Sequence, residues 1–130
     1  MSRATTHKSS EVAWDGKRQF SVHDRLVASA ATVRAGYFVA PCDGTIVQLE
    51  VNCIVTPTHA TNDLSFGTVA DIDSNLNEVD ITDLATGRTD YIAHANVLSL
   101  SVTKGEAYAW GWVGGDTTGE LVFLVTIEPR

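Results

Sequence analysis

The run Asp71-Ile72-Asp73-Ser74-Asn75 comes nearest to a metal site, because it sets oxygen ligands at alternate positions as a calcium loop does. An EF-hand loop starting at Asp71 requires Gly at position 76 and Glu at position 82, where this chain has Leu76 and Thr82. The run therefore reads as a solvated acidic loop. His7, His23, His59 and His94 are scattered, and no His-x-x-x-His or paired Cys-x-x-Cys spacing offers a zinc ligand set. A Gly-x-Ser-x-Gly elbow is absent, and Gly114-Gly115-Asp116 reads as a hairpin turn rather than a phosphate loop. The residues assign no catalytic group, no metal and no cofactor.

One other pattern has chemical content. Tyr108, Trp110 and Trp112 alternate with Ala107, Ala109 and Gly111, so a strand here carries three aromatic rings on one face and small residues on the other. Such a row is a ligand platform if exposed, since sugar rings stack on aromatic faces. It is a core layer if it packs opposite Leu121, Phe123 and Val125, which is the commoner use of large aromatics. The small reverse face suits close approach by another sheet or subunit.

The elements that would position these residues are short strands. Phe20 to Ala28 alternates loosely, and Val33 to Ala40 forms a second run closed by Pro41, which has no N–H for a ladder. Thr45 to Val55 is the cleanest strand, with Val47, Leu49, Val51, Cys53 and Val55 on one face against Gln48, Glu50 and Asn52. Leu64 to Ala70 and Val97 to Val102 read as further strands. Between them, Leu76, Val79, Ile81 and Leu84 lack a period of two, so Asp71 to Asp90 is expected to hold one or two helical turns capped by Asn75 and stopped at Gly87. Glu120 to Glu128 alternates Leu121, Phe123, Val125 and Ile127 against Val122, Leu124 and Thr126. Its first half is apolar on both faces, which predicts a central or partner-covered strand and makes Val122 and Leu124 the candidate subunit interface. Seven or eight such strands predict an all-β antiparallel sandwich.

With 130 residues, 44% of them apolar, the chain can bury a core as one domain without disulfides or metals. Cys42 and Cys53 alone specify no disulfide framework, and Cys53 lies in the apolar register of its strand. The net charge of −7 argues against nucleic acid as a partner. The charge is uneven: residues 1–18 carry Arg3, Lys8, Lys17 and Arg18 against Glu11 and Asp15, a balance of +2, while residues 19–130 carry −9. The expectation is an extended N-terminal arm over residues 1–18 and a sandwich domain over residues 19–130. Within the arm, Arg3, Lys8, Trp14, Lys17 and Arg18 are candidates to bind a partner surface, with Trp14 as the apolar anchor. No apolar stretch behind the N-terminus marks a secretory signal, and no run reaches the roughly 20 residues of a spanning helix, so synthesis in the cytoplasm and no membrane partner are expected.

The order of these pieces resembles small virion proteins of tailed bacteriophages. A polar arm is followed by a strand ending in Ala40-Pro41-Cys42-Asp43-Gly44-Thr45-Ile46, a late Lys104-Gly105-Glu106 turn and a final Leu121-Val122-Phe123-Leu124-Val125-Thr126-Ile127 strand. The similarity is to capsid decoration, or cement, proteins with a jelly-roll-like β-sandwich. It covers about the last 95 residues through loose turn-and-strand patterns. The resemblance implies a non-enzymatic structural protein on the outer capsid surface, holding neighbouring major capsid protein subunits. It further implies a homo-oligomer, a trimer before a dimer. Related sandwiches in head fibres and tail appendages imply an alternative role, an adhesion module binding host glycans through Tyr108, Trp110 and Trp112.

Overall fold

The computed structural model describes residues 19–28, 33–58, 61–114 and 118–130, and the expected arm at residues 1–18 lies outside them. Among the described residues there is no helix, and nine strands make two antiparallel sheets: β1 (Phe20–Val27), β2 (Val33–Val39), β3 (Gly44–Val55), β4 (Asn62–Thr68), β5 (Asp71–Asp80), β6 (Gly87–Asp90), β7 (Ser101–Val102), β8 (Ala107–Gly114) and β9 (Glu120–Pro129). The first sheet runs β1-β9-β3-β6, with β7 also on β3, and the second runs β2-β8-β4-β5. An all-β antiparallel sandwich is therefore the fold.

The alternating strands send their large apolar side chains to one face, the core between the sheets. In β9, Leu121, Phe123, Val125 and Ile127 are buried while Val122 and Leu124 are half-buried, and β9 is central, between β1 and β3. In β8 the aromatic row points inward. Trp110 meets Phe123 of the facing sheet at 5.3 Å between ring centroids and Phe66 edge-on at 5.2 Å. Phe38, Phe66 and Tyr108 form a parallel stack beside it, at 5.6 to 6.3 Å. Polar tips are satisfied at the margins: the Trp112 Nε1–H donates to Asn62 Oδ1 at 2.9 Å, and the Thr103 N–H donates to the Tyr108 hydroxyl at 2.8 Å.

Two expectations of register are corrected by bulges. In β3 the buried set is Ile46, Leu49, Val51 and Cys53, not one beginning at Val47. The pairing steps from Ile46↔Ile127 to Gln48↔Thr126, so Val47 is an extra residue that turns the strand over. A second step, from Cys53↔Leu121 to Val55↔Glu120, turns Val55 out to solvent. The strand expected over Leu64 to Ala70 begins earlier, at Asn62, and ends at Thr68. That expected over Val97 to Val102 shrinks to Ser101–Val102 plus a single bridge from Val97 to Leu76.

The expected helical turns in 71–90 are absent; the segment is β5, a short turn and β6. Its apolar residues lost their period because β5 carries extra residues against β4. Leu64 pairs with Val79 but Phe66 pairs with Leu76, and Thr68 pairs only with Asp71. The surplus Ile72 to Asn75 folds over the outer face of the second sheet. A Cβ at Gly67 would lie 2.3 Å from the Asp71 carbonyl oxygen and 2.6 Å from the Ser74 nitrogen, so only glycine admits this approach. Intrachain chain segments thus cover the small face of β8, where a Cβ on Gly111 would lie 2.9 Å from Ile72.

Candidate interaction surfaces

Among the described residues, one flank of the sandwich is covered by chain and the other is not. On the closed flank, residues 91–100 leave β6 and cross from the first sheet to the second. The Tyr91 N–H donates to the Leu49 carbonyl and the Ile46 N–H to the Leu100 carbonyl, each at 2.7 Å, while the Asn77 N–H donates to the Asn96 carbonyl at 2.9 Å. Asn75 fastens this strap. It is 3% exposed, its Nδ2 donates to the Ser99 and Ser101 carbonyls at 3.0 Å each, and its own carbonyl accepts the Leu98 N–H at 2.8 Å. The residue expected to cap a helix instead bridges the sheets.

Asn75 also explains why no calcium loop forms. Its side chain turns inward, and Ser74 Oγ accepts the Thr68 N–H at 3.2 Å. Asp71 and Asp73 remain together at the turn, where hydrogen bonding between them pushes the Asp71 carboxyl above its usual range. No group of three His, Cys, Asp or Glu side chains that could hold a metal occurs among the described residues.

On the open flank, β1 and β2 are the terminal strands of their sheets and lie back to back. Asp24 sits in the inward register of β1, opposite Phe123, at a position where an apolar residue would be ordinary. Its Oδ2 accepts the Gly36 N–H at 2.7 Å, and its Oδ1 accepts the Arg25 N–H at 2.8 Å. Gly36 stands at φ +68° within a bulge, where the pairing steps from Ala35↔Trp110 to Phe38↔Tyr108. The bulge sends Phe38 into the aromatic stack and leaves Tyr37 58% and Val39 62% exposed. Sequence reasoning missed this pair; an Asp in an apolar register facing a glycine-bearing strand was its only signal.

The outer face of the first sheet is built differently. A chain of hydrogen bonds crosses all four of its main strands. Ser21 and Thr126 hydroxyls meet at 2.8 Å, Thr126 Oγ1 donates to Gln48 Oε1 at 2.7 Å, and Gln48 Nε2 donates to Glu50 Oε1 at 3.0 Å. Arg88 closes it, donating through Nε to both Glu50 oxygens at 2.7 and 2.8 Å. Glu50 is buried, and the hydrogen bond from Arg88 holds its carboxyl below the usual range despite that burial. Arg25 and Glu120 pair farther along the same face. Between these polar rows lie Val122, opposite Arg25 and Asn52, and Leu124, opposite His23 and Glu50.

The sequence candidates are therefore separated. Arg3, Lys8, Trp14, Lys17 and Arg18 lie outside the described residues. Val122 and Leu124 stand half-buried on the outer face of the first sheet. Tyr108, Trp110 and Trp112 are 3%, 1% and 2% exposed, and rings in that position cannot stack on a sugar arriving from solvent. The platform that the alternative role requires is a core layer. Cys53 is buried as its register implied, with burial pushing its thiol up, and Cys42 is half-buried; both are free.

No family model matches the chain, and no curated protein matches it either. Solved structures do. The chain is similar to one from the capsid asymmetric unit of cyanophage Pam1, with a TM-score of 0.59 at 10% identity, covering 98% of this chain and 100% of that one. It is also similar to a chain from the acid-stable capsid of Helicobacter pylori bacteriophage KHP30, with a TM-score of 0.57 at 8% identity, covering 88% and 90%. At these identities the likeness establishes a shared fold, spanning nearly the whole of each chain.

Proposed function

We propose that this chain is a structural, non-enzymatic virion protein that decorates the outer surface of a tailed-phage head and bridges major capsid protein subunits. The observation that carries the reading is the fold likeness to chains of two phage capsids, over 88% and 98% of this chain and at 8% and 10% identity. The order of arm, turns and final strand in the sequence supports the same reading independently. Stabilisation follows from mass action: a protein that binds the assembled shell and not its separated subunits raises shell stability by linkage.

In this proposal residues 1–18 reach a neighbouring capsid subunit; fully extended, 18 residues span at most about 60 Å. Trp14 is the anchor, because a buried interfacial Trp contributes more than about 2 kcal/mol, whereas an exposed ion pair made by Arg3, Lys8, Lys17 or Arg18 contributes less than about 1 kcal/mol. Copies of the chain associate through Val122 and Leu124, with a trimer favoured, and avidity multiplies weak individual contacts.

Cryo-electron microscopy of shells mixed with this protein tests the reading. Ordered density on the outer capsid surface, with residues 1–18 lying over neighbouring subunits, is expected. Density confined to the tail or fibres would overturn it. Deleting residues 1–18 is expected to leave the body folded and abolish shell binding, and Trp14→Ala to weaken binding more than Lys8→Ala. Leu124→Glu is expected to convert the oligomer to monomers in light scattering.

A further inference from the structure

We infer that the outer face of the first sheet packs against the same face of a second copy of this chain and closes a two-fold pair; the inference deepens the contact through Val122 and Leu124 proposed above and rests on it. The distribution of charge selects the face. Residues 19–130 carry −9. The outer register of β1, β9, β3 and β6, with the chain end after β9, holds the acids Glu50, Asp90, Glu120 and Glu128 against the bases Arg25, Arg88 and Arg130, a balance of −1. The other ten acids and two bases of the body leave −8 elsewhere.

The same count names the occupant. A basic partner is drawn to the surfaces that carry −8 and not to this face. A partner as acidic as the chain itself meets net like charge on the remaining surface and none of consequence here, and a second copy is such a partner.

The polar groups of the face are already satisfied within the chain. Hydrogen bonds run across its strands from Ser21 through Thr126, Gln48 and Glu50 to Arg88, and Arg25 pairs with Glu120. Groups bonded to one another lose less when water leaves than groups bonded to water, so covering this face costs less than covering an ordinary sheet surface. Apolar side chains fill the gaps. Val122 and Leu124 stand half-buried in the middle, while Val27 and Val55, 51% and 42% exposed, flank Glu120 at one end.

The size suffices. Strands about 4.8 Å apart make β1, β9 and β3, with the short β6 beside them, a face of roughly 500 Å² in projection. Two such faces bury roughly 1,000 Å² or more, where specific interfaces begin. Sheets stack face to face in this way about 10 Å apart. A face that meets its own copy is self-complementary and closes as a two-fold pair. This contact therefore gives a dimer, and the trimer that the resemblance favours needs another surface.

The test uses the full chain in light scattering and sedimentation. A dimer is expected, with a dissociation constant that changes less than about threefold between low and high salt, because the charges pair within each copy. Arg25→Ala strips Glu120 of its partner in both copies, and should raise the dissociation constant at least about tenfold in low salt, with recovery in high salt. Exchanging the two residues, Arg25→Glu with Glu120→Arg, rebuilds the pair within the chain and should restore the dimer; circular dichroism checks that both variants fold. A monomeric or trimeric full chain, or a dimer that neither Arg25→Ala nor Leu124→Glu weakens, would overturn the inference. If the full chain is monomeric and deleting residues 1–18 makes it dimeric, those residues occupy the face and the inference likewise fails. Shell binding is read separately. A monomer that binds shells overturns the pair and leaves the decoration reading, whereas a dimer that ignores shells overturns the decoration reading alone.

Discussion

Replacing Asn75 with Ala removes the side-chain fastening of the strap and leaves its main-chain bonds, the one from the Leu98 N–H to the carbonyl of residue 75 among them, in place. A longer 3.3 Å bond that Oδ1 accepts from the Ser74 hydroxyl disappears, and so do the two strap bonds, from Nδ2 to the Ser99 and Ser101 carbonyls, both 3.0 Å long and made by a side chain 3% exposed. Each strap bond contributes about 1 kcal/mol net, and the stranded carbonyls add a desolvation cost that water relieves in part, because Ser101 is exposed. The expected loss is about 2–3 kcal/mol. An unfolding entropy of about 2.1 cal/mol/K per residue gives a chain of this length about 0.27 kcal/mol/K, so Tm falls by about 7–11 °C. Scanning calorimetry measures this directly. Asn75→Asp sharpens the test: it is nearly isosteric, yet it sets an acceptor against two carbonyls. It should be worse than Ala at neutral pH, with the deficit shrinking in acid as the carboxyl protonates and regains a donor. A Tm drop below about 3 °C for Asn75→Ala, or an Asp variant no worse than Ala, would refute the fastening argument.

Further outcomes concern other parts of the fold. Glu50→Gln should lower stability at neutral pH. Because Arg88 depresses the Glu50 pKa in the folded state, that contribution is full above the unfolded value of about 4.3 and is lost as pH falls through the lower folded value. The gap between wild type and variant in urea titrations should therefore close in acid; a gap constant from pH 7 to pH 3 contradicts the assignment. Gly67→Ala places a Cβ 2.3 Å from backbone that cannot yield cheaply, and should cost upward of about 3 kcal/mol or prevent folding, judged by circular dichroism. Trp112→Phe deprives Asn62 of its buried indole donor and vacates the space the outer indole ring fills beside Gly119, and should cost upward of about 2 kcal/mol by chemical denaturation.

Most of the sandwich was legible in the chain, for a simple reason. Strands β8 and β9 and the middle of β3 send alternate large apolar side chains to the core, and a period of two records that placement. What escaped was non-local. The extra residues of β5 are defined only against β4, so Leu76, Val79 and Ile81 looked aperiodic and invited a helix. The bulge at Val47 likewise exists only relative to β9, and it moved the buried set by one residue at the head of β3. Of the surfaces, Val122 and Leu124 could be named because β9 is apolar on both sides. Tyr37 and Val39 could not, since exposure at an edge depends on which strands pair. Asn75 was noticed for the right polarity and given the wrong partner, a helix end in place of the carbonyls of Ser99 and Ser101.

The place of β9 governs how this chain reaches its structure during synthesis. Glu120–Pro129 lies between β1 and β3, so the earliest strand of the body has no in-sheet neighbour until the latest one is made. Phe123 is also the inter-sheet partner of Trp110, so the aromatic core stays open until then. Vectorial, strand-by-strand folding on the ribosome is therefore closed to the first sheet. The body must wait, exposed, and then close through pairings distant in sequence, which places its folding in the millisecond-to-second range of non-local β-proteins. A nascent chain halted before residue 120 would hold an apolar β3 with a bare edge, the state in which such a protein is most open to aggregation and to capture by chaperones.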